Sequence, residues 1–421
     1  MKRDLSLTFL TQVIVLIAGL YTYRLARVKF SDIIFADYAL IKRNTSFLFS
    51  FFFFGFSVAI PRYVSIFRKE SEGSEGSVLI FSTIFILSIS VLIFLTGLSL
   101  KGEIAYLLFG SRKYSHYILP FLLMLTGMLF HSLPYSFFRG RVQMVNANLL
   151  QLLDYALIPV VVFIYGKSLR NILIITGTGW LAVSLFVLIL LFFSLGSEVS
   201  VGEIIEKGKI LISYGIQRIP ADFGLSALLS LPPIVAAHIF SPVYGGYTAF
   251  AVSLVRMVGA LFAPLGIVLL PVFTSMVKEG KFNTVRKYVT RLVAFTTLVS
   301  IVGILIYFVA DSLLLRIYLG SFKDELLYAT DIFISAAIGY NVFVALRSFI
   351  DAVYFFSINT VNIVASVILL IFLIGVVWML HPSFNATLII LSSPLYLLGL
   401  LTFFTARITL VRFRKGDVRI R

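Results

Sequence analysis

Eight ionisable residues stand inside stretches that are otherwise apolar. Lys42, Arg43, Arg218, Arg256 and Arg347 are the cations, and Asp154, Asp222 and Asp351 are the acids. A charge inside hydrocarbon is costly and is kept where it faces a polar interior, a partner or a substrate. Five cations against three acids leave that interior net positive. This suits an anionic head group such as a diphosphate, because a guanidinium forks phosphate oxygens in a bidentate way. Arg218 with Asp222, and Arg347 with Asp351, are four residues apart and share a helix face. For the second pair, near a helix end, snorkelling or local pairing is the simpler account. Lys42 and Arg43 are adjacent and must point in different directions, so one of them can snorkel outward. Arg256 has no acid within a turn on either side and must find a partner on another helix or on a substrate. Asp154 and Asp222 are the candidates for ion coupling, since a carboxylate in a low-dielectric site can bind and release H⁺ or Na⁺.

Other chemistry is nearly absent. There is no cysteine, and His116, His131, His238 and His381 lie too far apart for a metal-ligand pattern. His131 reads as a packed helix residue. Gly177 and Gly179 around Thr178 lack the strand–turn–helix setting of a phosphate loop and read as helix packing. No Walker motif is present, so the chain does not drive itself with ATP. No metal, no cofactor and no enzymatic activity is expected. The net charge of +16 is dispersed along an apolar chain, which excludes a nucleic-acid partner.

The elements that must position these residues follow from composition. Sixty per cent of the 421 residues are hydrophobic and 13% are charged. Apolar runs recur at the length that spans a bilayer as a helix. Twelve spans are predicted, near 6–24, 35–60, 78–99, 117–138, 149–166, 171–195, 210–236, 248–273, 292–310, 329–351, 359–380 and 386–406. The first is a retained helix, lacking a small-residue cleavage site. With both termini in the cytoplasm, the inner segments carry 20 Lys and Arg and the outer ones 10, which sets the orientation in the cell membrane. The basic tail 407–421 then lies against anionic membrane lipid as a stop-transfer anchor.

The chain also repeats itself. At an offset of 210 residues, Phe30-Ser31 meets Phe240-Ser241, Ala39 meets Ala249, and Val58 meets Val268. Pro61 then meets Pro271, Ser65 meets Ser275, and Arg68 meets Lys278. Six spans per half is an even number, so both halves enter the membrane from the same side. The expected architecture is all-α and polytopic, with two parallel-repeat six-helix lobes, 1–195 and 210–406, around a central cavity. Residues 196–209 are the polar cytoplasmic linker between them. Such pairs of lobes open a cavity alternately to each face of the membrane.

Three stretches carry a resemblance: "YTYRLARVKFSDIIFADYAL", "GFSVAIPRYVSIFRKE" and "GGYTAFAVSLVRMVGALFAPLGIVLLPVF". With the length and the doubled hairpin, the chain resembles the polysaccharide and oligosaccharide flippases of the multidrug/oligosaccharidyl-lipid/polysaccharide exporter superfamily. Val28-Lys29-Phe30 and Ala36 depart from that family's usual Leu-Gly and Gly. The resemblance implies export of a polyprenyl-diphosphate-linked glycan by alternating access, alongside membrane lipids, H⁺ or Na⁺, and glycan-assembly enzymes. Arg43 and Arg256 would clamp the diphosphate from opposite lobes, with Arg218 as an inner first contact and Arg24 near the exit. The alternative pairs Arg256 with Asp154 or Asp222. An ion-coupled drug or metabolite exporter of the same superfamily is the second reading. A glycan polymerase or glycosyltransferase is the third, disfavoured by loops too short to hold a catalytic domain.

Overall fold

The computed structural model describes residues 2–70, 74–195, 200–354 and 357–415, and every regular element among them is a helix. That is what a bilayer demands, since backbone groups there must satisfy one another within the segment. The surface agrees: Phe193 and Val309 are 82% and 88% exposed, costly in water and ordinary against lipid.

The chain forms two compact units, Met1–Ser226 and Ala227–Arg421. In the first, α1 (Lys2–Lys29), α2 (Asp32–Phe52), α3 (Phe56–Glu70) and α4 (Ser74–Ser99) lead to a short α5 (Lys101–Phe109). A 3₁₀ segment, Arg112–Tyr117, precedes α6 (Ile118–Gly140). Then α7 (Met144–Leu152), a π-helical turn at Leu153–Leu157, α8 (Ile158–Tyr165) and α9 (Leu169–Leu195) complete the unit with the first part of α10 (Val201–Ile239). The second unit holds the rest of α10, then α11 (Pro242–Lys278), α12 (Phe282–Leu319), α13 (Asp324–Val353), α14 (Ile358–Leu380) and α15 (Phe384–Lys415).

Ten of these helices or runs are long and apolar enough to cross a membrane, and α2 with α3 forms an eleventh span bent by 46°. The sequence predicts twelve; α11, 37 residues long, occupies the position of the eighth. The polar linker expected at 196–209 differs in part. Residues 201–209 are the first turns of α10, which has no break at Pro220, and residues 196–199 lie outside the described set. The reason is packing: Gly208 of α10 lies against Phe81 of α4, and Gly215 lies against the carbonyl of Phe54. That contact draws the start of α10 onto the first unit, so the compact units part after Ser226. The tail is helical to Lys415; residues 416–421 lie outside the described set.

The doubled sequence has a structural meaning at its first match. Ser31 and Ser241, both extended, are the N-caps of α2 and α11, and Ser31 Oγ accepts from the Ile34 N–H. Each unit also crosses its most buried long helix with a later one at a glycine pair. In the first, a Cβ on Gly127 of α6 would stand 2.6 Å from the Gly177 carbonyl of α9. In the second, a Cβ on Gly399 of α15 would stand 2.5 Å from Gly339 Cα of α13. Small residues let membrane helices touch backbone to backbone, and Gly177 therefore does the packing its sequence context suggests.

Candidate functional site

The most completely buried charged cluster described in the first unit is built around Asp154. Its side chain is fully buried, and Oδ2 lies 2.5 Å from His131 Nδ1, itself 2% exposed, on α6. The aromatic rings of Tyr155 and Tyr135 flank the imidazole, at 4.5 and 5.7 Å between centroids. Asp154 Oδ1 has no hydrogen-bond partner among the described residues. A buried carboxylate with one oxygen held and the other unsatisfied is poised to take a proton or a small cation.

The chain positions this carboxylate through Pro159. In the π turn the Ile158 N–H bonds the Leu153 carbonyl, a spacing of five residues. The same spacing would give the Asp154 carbonyl to residue 159, which is proline and has no N–H. Trp180 of α9 supplies the missing donor: its indole N–H bonds the Asp154 carbonyl. One proline thus widens the helix, frees a carbonyl and recruits a tryptophan. Asp154 is a residue whose type alone flags it. The pairing with His131 and Trp180 is not legible in sequence, where His131 reads as packing.

A second polar group lies on α2. Asp37, 5% exposed, accepts from the hydroxyls of Tyr114 at 2.6 Å and Tyr117 at 3.3 Å, both from the 3₁₀ segment. Sequence reasoning passes over Asp37; the signal available was an acid inside the second span. Lys42 Nζ stands 4.5 Å from the Tyr23 ring centre and 5.2 Å from that of Tyr38, a cation–π site. Arg43 is 4% exposed, so neither residue of this pair snorkels clear of the protein.

The remaining candidates are spread out. Arg24 is exposed on α1, and Asp222 is half-buried on α10. Arg218 is half-buried and donates to the Tyr214 hydroxyl at 3.2 Å. Arg256 is exposed on α11 of the second unit. Arg347 and Asp351 do not pair with each other among the described residues. Instead Asn359 of α14 donates to the Arg347 carbonyl at 2.9 Å and to Asp351 Oδ1 at 2.8 Å, because a short amide reaches across from the neighbouring helix. No cluster of three or more metal-ligating side chains occurs among the described residues.

No protein-family model and no curated protein matches the sequence. Solved structures do. An inward-facing multidrug resistance MATE family transporter of the MOP superfamily superposes with a TM-score of 0.69 at 14% identity, covering 96% of each chain. The eukaryotic MATE transporter AtDTX14 gives 0.68 at 14% identity, over 100% of this chain and 99% of that one. A MOP superfamily transporter from Pyrococcus furiosus gives 0.67 at 13%, over 98% and 96%; its binding pocket is described as reversed in polarity, suggesting a different function. The similar structures are transporters, and the chain is a multi-pass membrane protein with their fold.

Proposed function

We propose that the chain is an exporter whose substrate movement is coupled to a cation through Asp154. The observation that carries this reading is the fully buried carboxylate with Oδ2 on His131 and Oδ1 unsatisfied. Binding a proton or Na⁺ there removes an unpaired acceptor from a dry site, so the cation and the local packing are linked. The fold supports transport, and the Walker-free sequence supports an ion gradient as the driving force. In proteoliposomes, Asp154→Asn is expected to lower gradient-driven efflux of a fluorescent substrate at least about tenfold, with membrane insertion and thermal unfolding little changed. Efflux at the wild-type rate under every imposed H⁺ and Na⁺ gradient would overturn the reading.

A second reading concerns substrate. Arg43 buried in α2 favours an anionic load over the cationic drugs that an acidic interior would select. The load is then a polyprenyl-diphosphate-linked glycan moved across the cytoplasmic membrane, both termini inside, with Arg43, Arg256 and Arg24 along its route. Arg43→Ala with Arg256→Ala should stop glycan export yet spare efflux of a cationic dye. Loss of dye efflux with retained glycan export would reverse the assignment.

A further inference from the structure

We propose that Arg62, Tyr214 and Arg218 form a binding site for a phosphoryl group carried on a lipid. The site is made by the break between α2 and α3. Phe54 and Gly55 take φ of 58° and 70°, which turns α3 away from α2. Gly55 then lies so close to α10 that an added Cβ would be 2.8 Å from the Gly215 carbonyl and 2.9 Å from Arg218 Cβ. Two turns further along α3, Arg62 comes opposite Tyr214. Its Nη1 donates to the Tyr214 hydroxyl at 3.4 Å, and Arg218 Nη2 donates to the same oxygen at 3.2 Å. The guanidinium carbons of Arg62 and Arg218 stand 5.0 and 5.6 Å from the Tyr214 ring centre.

Two like charges are therefore gathered on one neutral oxygen. Among the described residues neither guanidinium has a carboxylate partner. Each retains N–H donors, and the Tyr214 hydroxyl, having accepted twice, still has its own proton to donate. A third cation lies beyond: Lys207 Nζ is 4.2 Å from the Phe67 ring centre, and Phe67 and Tyr63 stack at 5.6 Å. Its acid partner, Glu206, is 3.7 Å away and mostly exposed. A phosphoryl group supplies the missing charge and several acceptor oxygens in the fork geometry that arginine prefers. The surroundings favour a phosphoryl group borne on a lipid. Arg62 is exposed, and Ile66, one turn on along the same face of α3, is an exposed apolar side chain beside it.

A role for this site as the first contact of a substrate rests on the exporter reading; binding itself does not, and it is measured without transport. The full chain in nanodiscs of dioleoyl phosphatidylcholine, doped with dioleoyl phosphatidic acid, is analysed for retained lipid by native mass spectrometry. Wild type should retain phosphatidic acid over phosphatidylcholine. Arg62→Gln with Arg218→Gln should cut that preference at least about tenfold, Tyr214→Phe should cut it less, and the double lysine variant should restore part of it. If the double glutamine variant is unstable, Arg62→Gln alone, at an exposed position, carries the test. Inorganic pyrophosphate that displaces the lipid identifies the phosphoryl head as sufficient; failure to displace it assigns the site to the lipid-borne group. Equal retention of phosphatidic acid by wild type and the glutamine variants would refute the site. Asp154→Asn should keep the wild-type preference, so a failed coupling and a failed site are read apart.

Discussion

α2–α3 and α11 are one element written twice, and the two copies fold differently. Both begin after Phe-Ser, with the serine as N-cap, and both carry the matched proline, Pro61 and Pro271. Between these points the first copy has Phe53-Phe54-Gly55, and the second has Ala263-Pro264-Leu265. Gly55 accepts a left-handed conformation at no steric cost, and Phe54 beside it is held there at φ 58°. The first copy breaks; the second runs unbroken from Pro242 to Lys278. The charges part in the same way. At the 210-residue offset Asp37, Lys42 and Arg43 correspond to Tyr247, Val252 and Ser253. His131, four residues after Gly127, corresponds to Phe343, four after Gly339, and Trp180, three after Gly177, to Thr402, three after Gly399. The glycine crossings recur in both units, and among the described residues the buried charged side chains lie in the first.

The largest effect expected tests the shared scaffold. Gly177→Leu would drive its Cβ to 2.6 Å from the backbone of Leu123, and Gly399→Leu would do the same against Gly339. Backbone overlap is not relieved by a change of rotamer, so each should cost more than about 4 kcal/mol and abolish the cooperative thermal transition. Gly375→Leu, with nothing within 4 Å, is the control and should be neutral. If one crossing tolerates leucine and the other does not, the two are not equivalent and the comparison fails at its base.

A smaller effect tests what only the first unit has. Trp180→Phe keeps an aromatic ring and removes the donor to the Asp154 carbonyl, leaving a buried acceptor stranded at a cost of about 1–3 kcal/mol. Pro159→Ala returns an N–H at the position the π turn would use. Trp180→Phe should therefore cost less in the Pro159→Ala background, by at least about 0.5 kcal/mol in a double-mutant cycle. Additive losses would mean that the freed carbonyl is not what Trp180 serves.

How much of this the sequence reveals depends on the range of the interaction. The spans, the doubling and the buried Asp154 are local or periodic features and can be read directly. Pro159 five residues after Asp154 is likewise on the page, once the π register is considered. The partners are not, because His131 and Trp180 come from helices 23 and 26 residues away and meet Asp154 only when α6 and α9 pack against the π turn. Asp37 looks like an unremarkable span residue until the 3₁₀ segment, 77 residues on, brings Tyr114 to it. The linker at 196–209 reads as a domain joint because it is polar. One of its glycines, Gly208, lies against Phe81, a tertiary contact with no local mark.

The smallest effect concerns Asp37 itself, where the second unit has Tyr247. Asp37→Asn keeps the shape and one acceptor oxygen, and the tyrosine hydroxyls can rotate to accept from the new amide. What is lost is the difference between a charge-assisted and a neutral hydrogen bond, roughly 1 kcal/mol. That loss should vanish in a Tyr114→Phe background if the 2.6 Å bond carries it, since the donor is then already gone. A coupling energy above about 0.5 kcal/mol by thermal unfolding would establish the bond as the reason α2 holds the 3₁₀ segment. Strict additivity would mean that the segment is held by ring packing alone, as where Tyr114 meets Phe109 of α5 at 5.9 Å between centroids. The second unit manages without an acid at this register, so its copy marks the baseline: a helix that starts on Pro242, with no side-chain cap from Ser241, and holds by apolar packing. The first unit's acid then adds local anchoring to a scaffold that already stands.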